Sequence, residues 1–287
     1  KEFVDIYDIL DENYVIYSEY QKDGRFMVKL FCVNPAANLQ AYLEYGAGTI
    51  FFSATLLPVR YYKKLLSVEK DDYAIYADSP FPKDSRLLLI GRDVSTKYTQ
   101  RGQKMYERIA EYIGRAADSK KGNYMAFFPS YRVMEEVYDI FSDKCRSISS
   151  IIQAPYMSEE EREGFLEEFN VPREGSFVGF CVMGGIFSEG IDLTEDRLIG
   201  AIIVGAGLPQ VCNEREIVKR YFHAEGTSGF DYAYLYPGMN KVLQSAGRVI
   251  RTETDRGMIL LLDERFSAWQ YRDCLLYTSP SPRDRQK

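Results

Sequence analysis

Gln244-Ser245-Ala246-Gly247-Arg248-Val249-Ile250-Arg251 closes a helical run, and Thr252 to Gly257 lead on from it into a hydrophobic strand. The pattern predicts a helix over Tyr232 to Arg251. On such a helix Gln244 and Arg248 are four apart and Arg248 and Arg251 three apart, so these side chains share one face while Val249 and Ile250 point elsewhere. Gly247 permits close approach to the backbone. Two planar guanidiniums beside an amide suit the oxygens of a transferring phosphoryl group, and they equally suit a solvated basic helix face.

Around this stretch the composition sets bounds. With 46% hydrophobic and 27% charged residues among 287, the chain can bury a full core, with room for roughly one to two domains. No apolar run reaches the roughly 18 residues that span a bilayer, and no basic-then-apolar leader follows Lys1, so a globular protein without membrane anchor or signal peptide is expected. The absence of an initiator Met suggests a piece of a longer chain. Cys32, Cys145, Cys181, Cys212 and Cys274 show no pair at metal-ligand spacing. That points to reduced thiols in the cytoplasm and to no metal site. A net charge of -6 leaves nucleic-acid binding to a local groove rather than to the whole surface.

From the start of the chain, a helix is expected over Glu2 to Leu10. Alternating strands follow over Tyr14 to Tyr20 and Phe26 to Val33, joined at Lys22-Asp23-Gly24 as a hairpin. A helix with Asn38 as N-cap and Tyr45 near its end leads through Gly46 and Gly48 into an apolar strand, Thr49 to Phe52. That strand runs out into Ser53-Ala54-Thr55, small residues of the kind that present a site at a strand end. Val59 to Leu66 reads as a helix, and the polar run Ser67 to Asp72 as a boundary. Beyond it, apolar strands (Arg86 to Gly91, Tyr124 to Phe128, Ser147 to Gln153, Phe177 to Met183, Leu198 to Gly205, Gly257 to Asp263) alternate with amphipathic helices (Arg101 to Ala117, Tyr131 to Phe141, Ser158 to Phe169, Val211 to Phe222). Such alternation implies an α/β fold, a parallel sheet with helices on both faces. Ser158 and Glu161 make a capping box.

Within this part Phe127-Phe128-Pro129-Ser130-Tyr131 ends a strand and opens a helix. Gly184-Gly185-Ile186-Phe187-Ser188-Glu189-Gly190-Ile191-Asp192-Leu193 is a glycine-rich loop with two carboxylates. Its glycines let phosphate approach backbone N–H groups, and Glu189 and Asp192 are placed to hold arginines; a glycine-rich turn with solvated acids is the plainer alternative. Arg101, Lys104 and Arg108 fall on one expected helix face beside Tyr106, a mixture that suits a single strand or simply solvent. Gly205-Ala206-Gly207-Leu208-Pro209-Gln210 lacks the third glycine of a dinucleotide fingerprint. Asp263 and Glu264 are read as structural, and His223, the one histidine, has no catalytic partner in view.

Taken together, the Gln244–Arg251 stretch, Ser53-Ala54-Thr55, the strand end before Tyr131 and the glycine loop resemble, in family order, the motifs of superfamily 2 helicases in the branch of XPD and DinG. The resemblance covers approximately Asp11 to Asp273. It implies that residues 1–70 are the C-terminal end of a first RecA-like lobe and residues 71–273 the second, helicase C-terminal lobe. It further implies ATP-dependent 5′-to-3′ movement on single-stranded DNA by a cytoplasmic monomer with no membrane partner. Arg248, Arg251 and Gln244 would face the ATP phosphates, with Gly247, Glu189, Gly190 and Asp192 at the nucleotide. Ser53, Ala54 and Thr55 would couple the lobes, while Ser130, Tyr131, Gly184 and Gly185, with Arg101, Lys104 and Arg108, would meet nucleic acid. No Gly-x-x-x-x-Gly-Lys-Ser/Thr loop occurs, so the phosphate cradle, the Mg2+ carboxylates and any iron–sulfur cysteines would lie upstream. A catalytically silent RecA-like binding module and the motor part of a nuclease-fused relative remain as other readings.

Residues 274–287 resemble a translated sequencing adapter and are set apart from the fold as a non-native tail. On this reading the chain expressed alone supplies arginines but no phosphate cradle, and no ATP turnover is expected from it. A DNA-stimulated ATPase assay of the purified chain checks this, and steady turnover would refute it.

Overall fold

The computed structural model describes residues 2–53, 55–69, 71–75, 81–188, 193 and 197–276. In chain order the elements are α1 (Glu2–Tyr7), β1 (Tyr14–Tyr20), β2 (Phe26–Cys32), α2 (Ala36–Leu43), α3 (Val59–Leu66), β3 (Arg86–Gly91), α4 (Gln103–Ser119), β4 (Asn123–Phe128) and α5 (Tyr131–Lys144). Then come β5 (Ser149–Ile152), α6 (Glu159–Glu167), β6 (Phe177–Val182), β7 (Gly200–Val204), α7 (Asn213–Ala224), a π-helical turn (Asp231–Leu235), α8 (Tyr236–Ala246), β8 (Gly257–Leu262) and α9 (Trp269–Leu276). They form two compact units, Lys1–Ala77 with Pro209–Tyr236, and Asp78–Leu208 with Pro237–Lys287.

The larger unit is built on a six-stranded sheet in the order β3-β8-β7-β4-β6-β5, every pair parallel. Strands without polar residues on either face must be covered on both. One face of β4 and β6, with Tyr124, Ala126, Phe128, Val178 and Phe180, packs under Ile109 and Ile113 of α4 and Val133, Val137 and Phe141 of α5. The opposite face is closed by α6 and the turn after it. There Phe169 lies so near the sheet that a Cβ on Gly179 would come within 2.6 Å of its ring. The α/β architecture with covered parallel strands is therefore the one expected. The capping box of Ser158 and Glu161 also forms, opening α6.

In the smaller unit β1 and β2 pair as an antiparallel hairpin with Tyr20 opposite Phe26, and Gly24 takes the left-handed φ of +83° that the turn requires. The hairpin is fastened to α7. Tyr17 Oη donates to Glu214 at 2.8 Å, Lys29 pairs with the same carboxylate, and Tyr221 Oη donates to Asn13 at 2.5 Å. On α3, the ring of Tyr61 packs against Tyr232 and Tyr236 at about 5 Å.

Several expectations are corrected. The helix predicted to reach Arg251 ends at Ala246. Gly247 N–H makes the last four-residue bond, to Leu243 O, and the N–H groups of Arg248 and Val249 reach back only three residues. Val249 is drawn into the core, while the Asp255 carboxylate takes the N–H groups of Arg251 and Thr252, each at 2.8 Å, and so offers the backbone an alternative to the helix. Arg248 and Arg251 therefore do not share a helix face with Gln244. Thr49 to Phe52 form no strand: among the described residues nothing pairs with them, and a strand exists only where a neighbour takes its N–H and C=O groups. Asn38 lies inside α2 and donates to Tyr14 Oη at 2.6 Å; the N-cap is Pro35, and Asn34 Oδ1 ahead of it accepts from Ala36 N–H. α1 stops at Tyr7, and α4 begins at Gln103, after Arg101. α9 continues through Cys274 to Leu276, into the stretch that the sequence sets apart as a tail.

Past β8 the fully buried Asp263 is saturated. It accepts from Thr96 N–H and Oγ1 at 3.0 and 2.7 Å and from Arg265 Nε and Nη2 at 2.7 and 2.8 Å. This is the structural role read from the sequence. Burial opposes the charge, but the Arg265 guanidinium and the Thr96 N–H outweigh it and hold the carboxyl below its ordinary pKa. A depressed carboxylate stabilises the fold at neutral pH, and that contribution disappears as pH falls through the folded-state value. Asp263→Ala is expected to destabilise the fold by about 3 kcal/mol by stranding Arg265. The variant should also lose less stability than the wild type on acidification below about pH 4. Thermal unfolding across pH checks both.

Candidate functional site

Polar side chains gather beyond the C-terminal ends of β4, β6 and β8, the edge at which open parallel sheets hold ligands. After β6 the chain turns at once. Met183 N–H continues the ladder to Phe128 O at 2.8 Å, Gly185 N–H closes back on Val182 O at 3.2 Å, and Ser188 N–H on Gly185 O at 2.9 Å. The buried Ser188 Oγ accepts from Gly184 N–H at 2.7 Å and so ties the ends of the turn together. Phe187 anchors it from below, its ring stacked on Phe165 at 4.2 Å. Gly184 has φ of +69°, and a Cβ there would sit 3.1 Å from the Lys241 side chain lying across it.

The turn ending α8 meets this loop. Arg248, half-buried, donates through Nη2 to Ser188 O, across 60 residues of sequence. Arg251 is exposed, its backbone held by Asp255; Gln244 is half-buried on α8, and Gly247 is exposed. The structure thus brings Arg248 to the glycine loop. Glu189, Gly190 and Asp192 lie outside the described residues, as does Ala54. Ser53 Oγ accepts from Thr55 N–H at 3.2 Å, a small hydroxyl turn in the other unit.

Ser130 caps α5, its Oγ accepting from Val133 N–H. Tyr131, next in sequence, accepts from Gln153 Nε2 at 2.9 Å. The expected basic face does not form as one face. Arg108 is held by Asp93 and Glu111, each at 2.6 Å, and its guanidinium lies 4.6 Å from the centre of the Tyr112 ring. Hydrogen bonds to those two carboxylates raise its pKa further, while Asp93, bonded by Tyr112 and Arg108, is lowered. Arg101, ahead of the helix, donates to Thr96 O at 3.1 Å. Tyr106 packs against the core, and Lys104, on α4, is exposed. Sequence reasoning missed Gln153 and Asp255. The only signal at either was a polar residue beside an apolar strand.

Residues 113–281, more than half of the chain, match the helicase C-terminal domain. The chain belongs to that family. A probable ATP-dependent helicase of Methanocaldococcus jannaschii is 24% identical over 271 residues, which cover 91% of this chain and 40% of that protein. The ATP-dependent DNA helicase XPD of Sulfolobus acidocaldarius is 25% identical over 230 residues, covering 78% and 40%. A solved XPD helicase matches with a TM-score of 0.66 at 21% identity, over 97% of this chain and 49% of that one. The shared fold is RecA-like. The helicase C-terminal chain described here spans about two fifths to one half of the length of these relatives.

Because Gly184 occupies the left-handed region, Gly184→Ala is expected to cost about 1–2 kcal/mol in backbone strain, and it must also displace Lys241. Thermal or urea unfolding of the variant measures the loss.

Proposed function

We propose that this chain is the C-terminal motor lobe of an ATP-dependent DNA helicase that moves 5′-to-3′ on single-stranded DNA. The observation that carries the reading is the bond from Arg248 to Ser188 O. One guanidinium joins the arginine turn to the glycine loop, so a change sensed at a phosphoryl group displaces the loop that meets the nucleic-acid backbone. Arg248 neutralises charge on the transferring phosphoryl group, with Arg251 on the exposed turn and Gln244 on α8 assisting. Glu189, Asp192 and the adjacent Gly190 complete the nucleotide side, and Gly247 lets it approach. Ser53, Ala54 and Thr55 couple the lobes. Ser130, Tyr131, Gly184 and Gly185 face DNA; Arg101 and Arg108 play a lesser part because their cations are already engaged, whereas Lys104 is open to phosphate.

ATP is the substrate, and Mg2+ accompanies it in this reading. Among the described residues no three His, Cys, Asp or Glu side chains are grouped to hold a metal ion. The roles above run through no metal. Five free cysteines support a reducing, cytoplasmic setting, and a monomer is proposed. Among the described residues no helix is long and apolar enough to cross a membrane.

A group that acts in the transition state affects turnover more than nucleotide affinity. An inserted arginine contributes on the order of a thousandfold in related phosphoryl transfers, and lysine lacks its planar fork. Arg248→Lys in the full-length protein is therefore expected to lower ATPase turnover by about a thousandfold, with ATP affinity largely kept. The melting temperature reports separately on the loss of the Ser188 contact. Near-normal turnover would overturn the assignment.

A further inference from the structure

Gln153 follows β5 with only 3% of its surface exposed, and each of its hydrogen bonds has a fixed direction. Its Oε1 accepts from Val182 N–H at 2.9 Å, its backbone N–H donates to Phe180 O at 2.9 Å, and its Nε2 donates to the Tyr131 hydroxyl at 2.9 Å. A peptide N–H can only donate, so the amide cannot be turned round: oxygen must face Val182 and nitrogen must face Tyr131. The direction then passes to the phenol. Tyr131 Oη accepts a hydrogen bond from Gln153 Nε2, which leaves its own O–H to be donated elsewhere.

Tyr131 stands at the head of α5, half-buried, just past the C-terminal end of β4. Burial, with Cys181 and Tyr156 adding to it, raises its pKa above the ordinary tyrosine value, so the proton stays on the oxygen at neutral pH. Val182, at the other end of the same amide, is the residue from which the glycine loop departs. One buried side chain therefore fixes both the root of that loop and the polarity of the tyrosine beside it.

We propose that Gln153 is a positioning residue that sets the Tyr131 hydroxyl as an outward hydrogen-bond donor to a phosphate oxygen of single-stranded DNA. This rests on the reading of the chain as a DNA motor lobe. A phosphate oxygen is the partner that fits, because it accepts and never donates, and because contact with it is independent of base sequence. The donor is also uncharged, which suits a surface on which Arg108 is already paired with carboxylates.

Substitution can reverse the polarity without changing the shape. In Gln153→Glu one carboxylate oxygen still accepts from Val182 N–H while the other accepts the phenol proton, turning Tyr131 inward. Binding of fluorescein-labelled oligothymidylate to the full-length protein, followed by anisotropy, is compared for wild type, Tyr131→Phe, Gln153→Glu and the double variant. Each single change is expected to raise Kd about tenfold, as for loss of a hydrogen bond to a charged group, and the double variant no further. Tyr131→Phe should leave the slope of affinity against salt unchanged, since no cation is removed. Slow exchange of the Val182 amide in Gln153→Glu shows that the loop root is intact. Wild-type affinity in Tyr131→Phe or in a folded Gln153→Glu overturns the proposal. So does a further loss on adding Gln153→Glu to Tyr131→Phe, which would mark simple charge repulsion. Failure of the wild type to bind the oligonucleotide would instead overturn the motor-lobe reading on which the proposal stands.

Discussion

Strands β4, β6 and β7 each have a parallel neighbour on both sides, and their apolar side chains fill the core, so a charge along these strands would have no partner to offset its desolvation. Chemistry is pushed to the strand ends. There the backbone groups still need partners, and short polar residues beyond β4, β6 and β8 supply them: Ser188 after β6, Ser130 after β4, Asp263 after β8. The depth of the core thus dictates where the site lies before any functional residue is considered.

At that edge several polar contacts join segments far apart in sequence. Arg248 reaches the Ser188 carbonyl, Gln153 spans Tyr131 and Val182, and Asp263 gathers Thr96 and Arg265. All three are buried or half-buried, where an unmade hydrogen bond costs more than a made one contributes. Breaking any of them is therefore costly. The surface pairs of α4 differ. Arg115 with Glu111 and Lys144 with Glu107 are solvent-exposed, and such pairs contribute little to stability. What they do is neutralise cations, which agrees with a net charge of -6.

The sequence by itself determined the alternation of apolar strands and amphipathic helices, hence the covered parallel sheet, because burial on both faces leaves a periodicity that needs no tertiary knowledge to see. It also determined the hairpin at Lys22-Asp23-Gly24, the helix Val59–Leu66 and the capping box at Ser158, whose signals are local. The order of the motifs, from Ser53 to Arg251, was legible as a family resemblance. Only the tertiary structure decided where the helix before Arg248 stops, since Asp255, downstream in the chain, competes for its backbone N–H groups. Pairing likewise decided against a strand at Thr49 to Phe52, which has no neighbour among the described residues to hydrogen-bond with. Asp93, upstream of α4, and Glu111, on the helix itself, took the charge of Arg108 out of the expected basic face. Gln153 could not be singled out in advance. Its role depends on Val182 and Tyr131 lying within reach of one amide, and such proximity between distant segments is created by the sheet order and appears nowhere in the linear sequence.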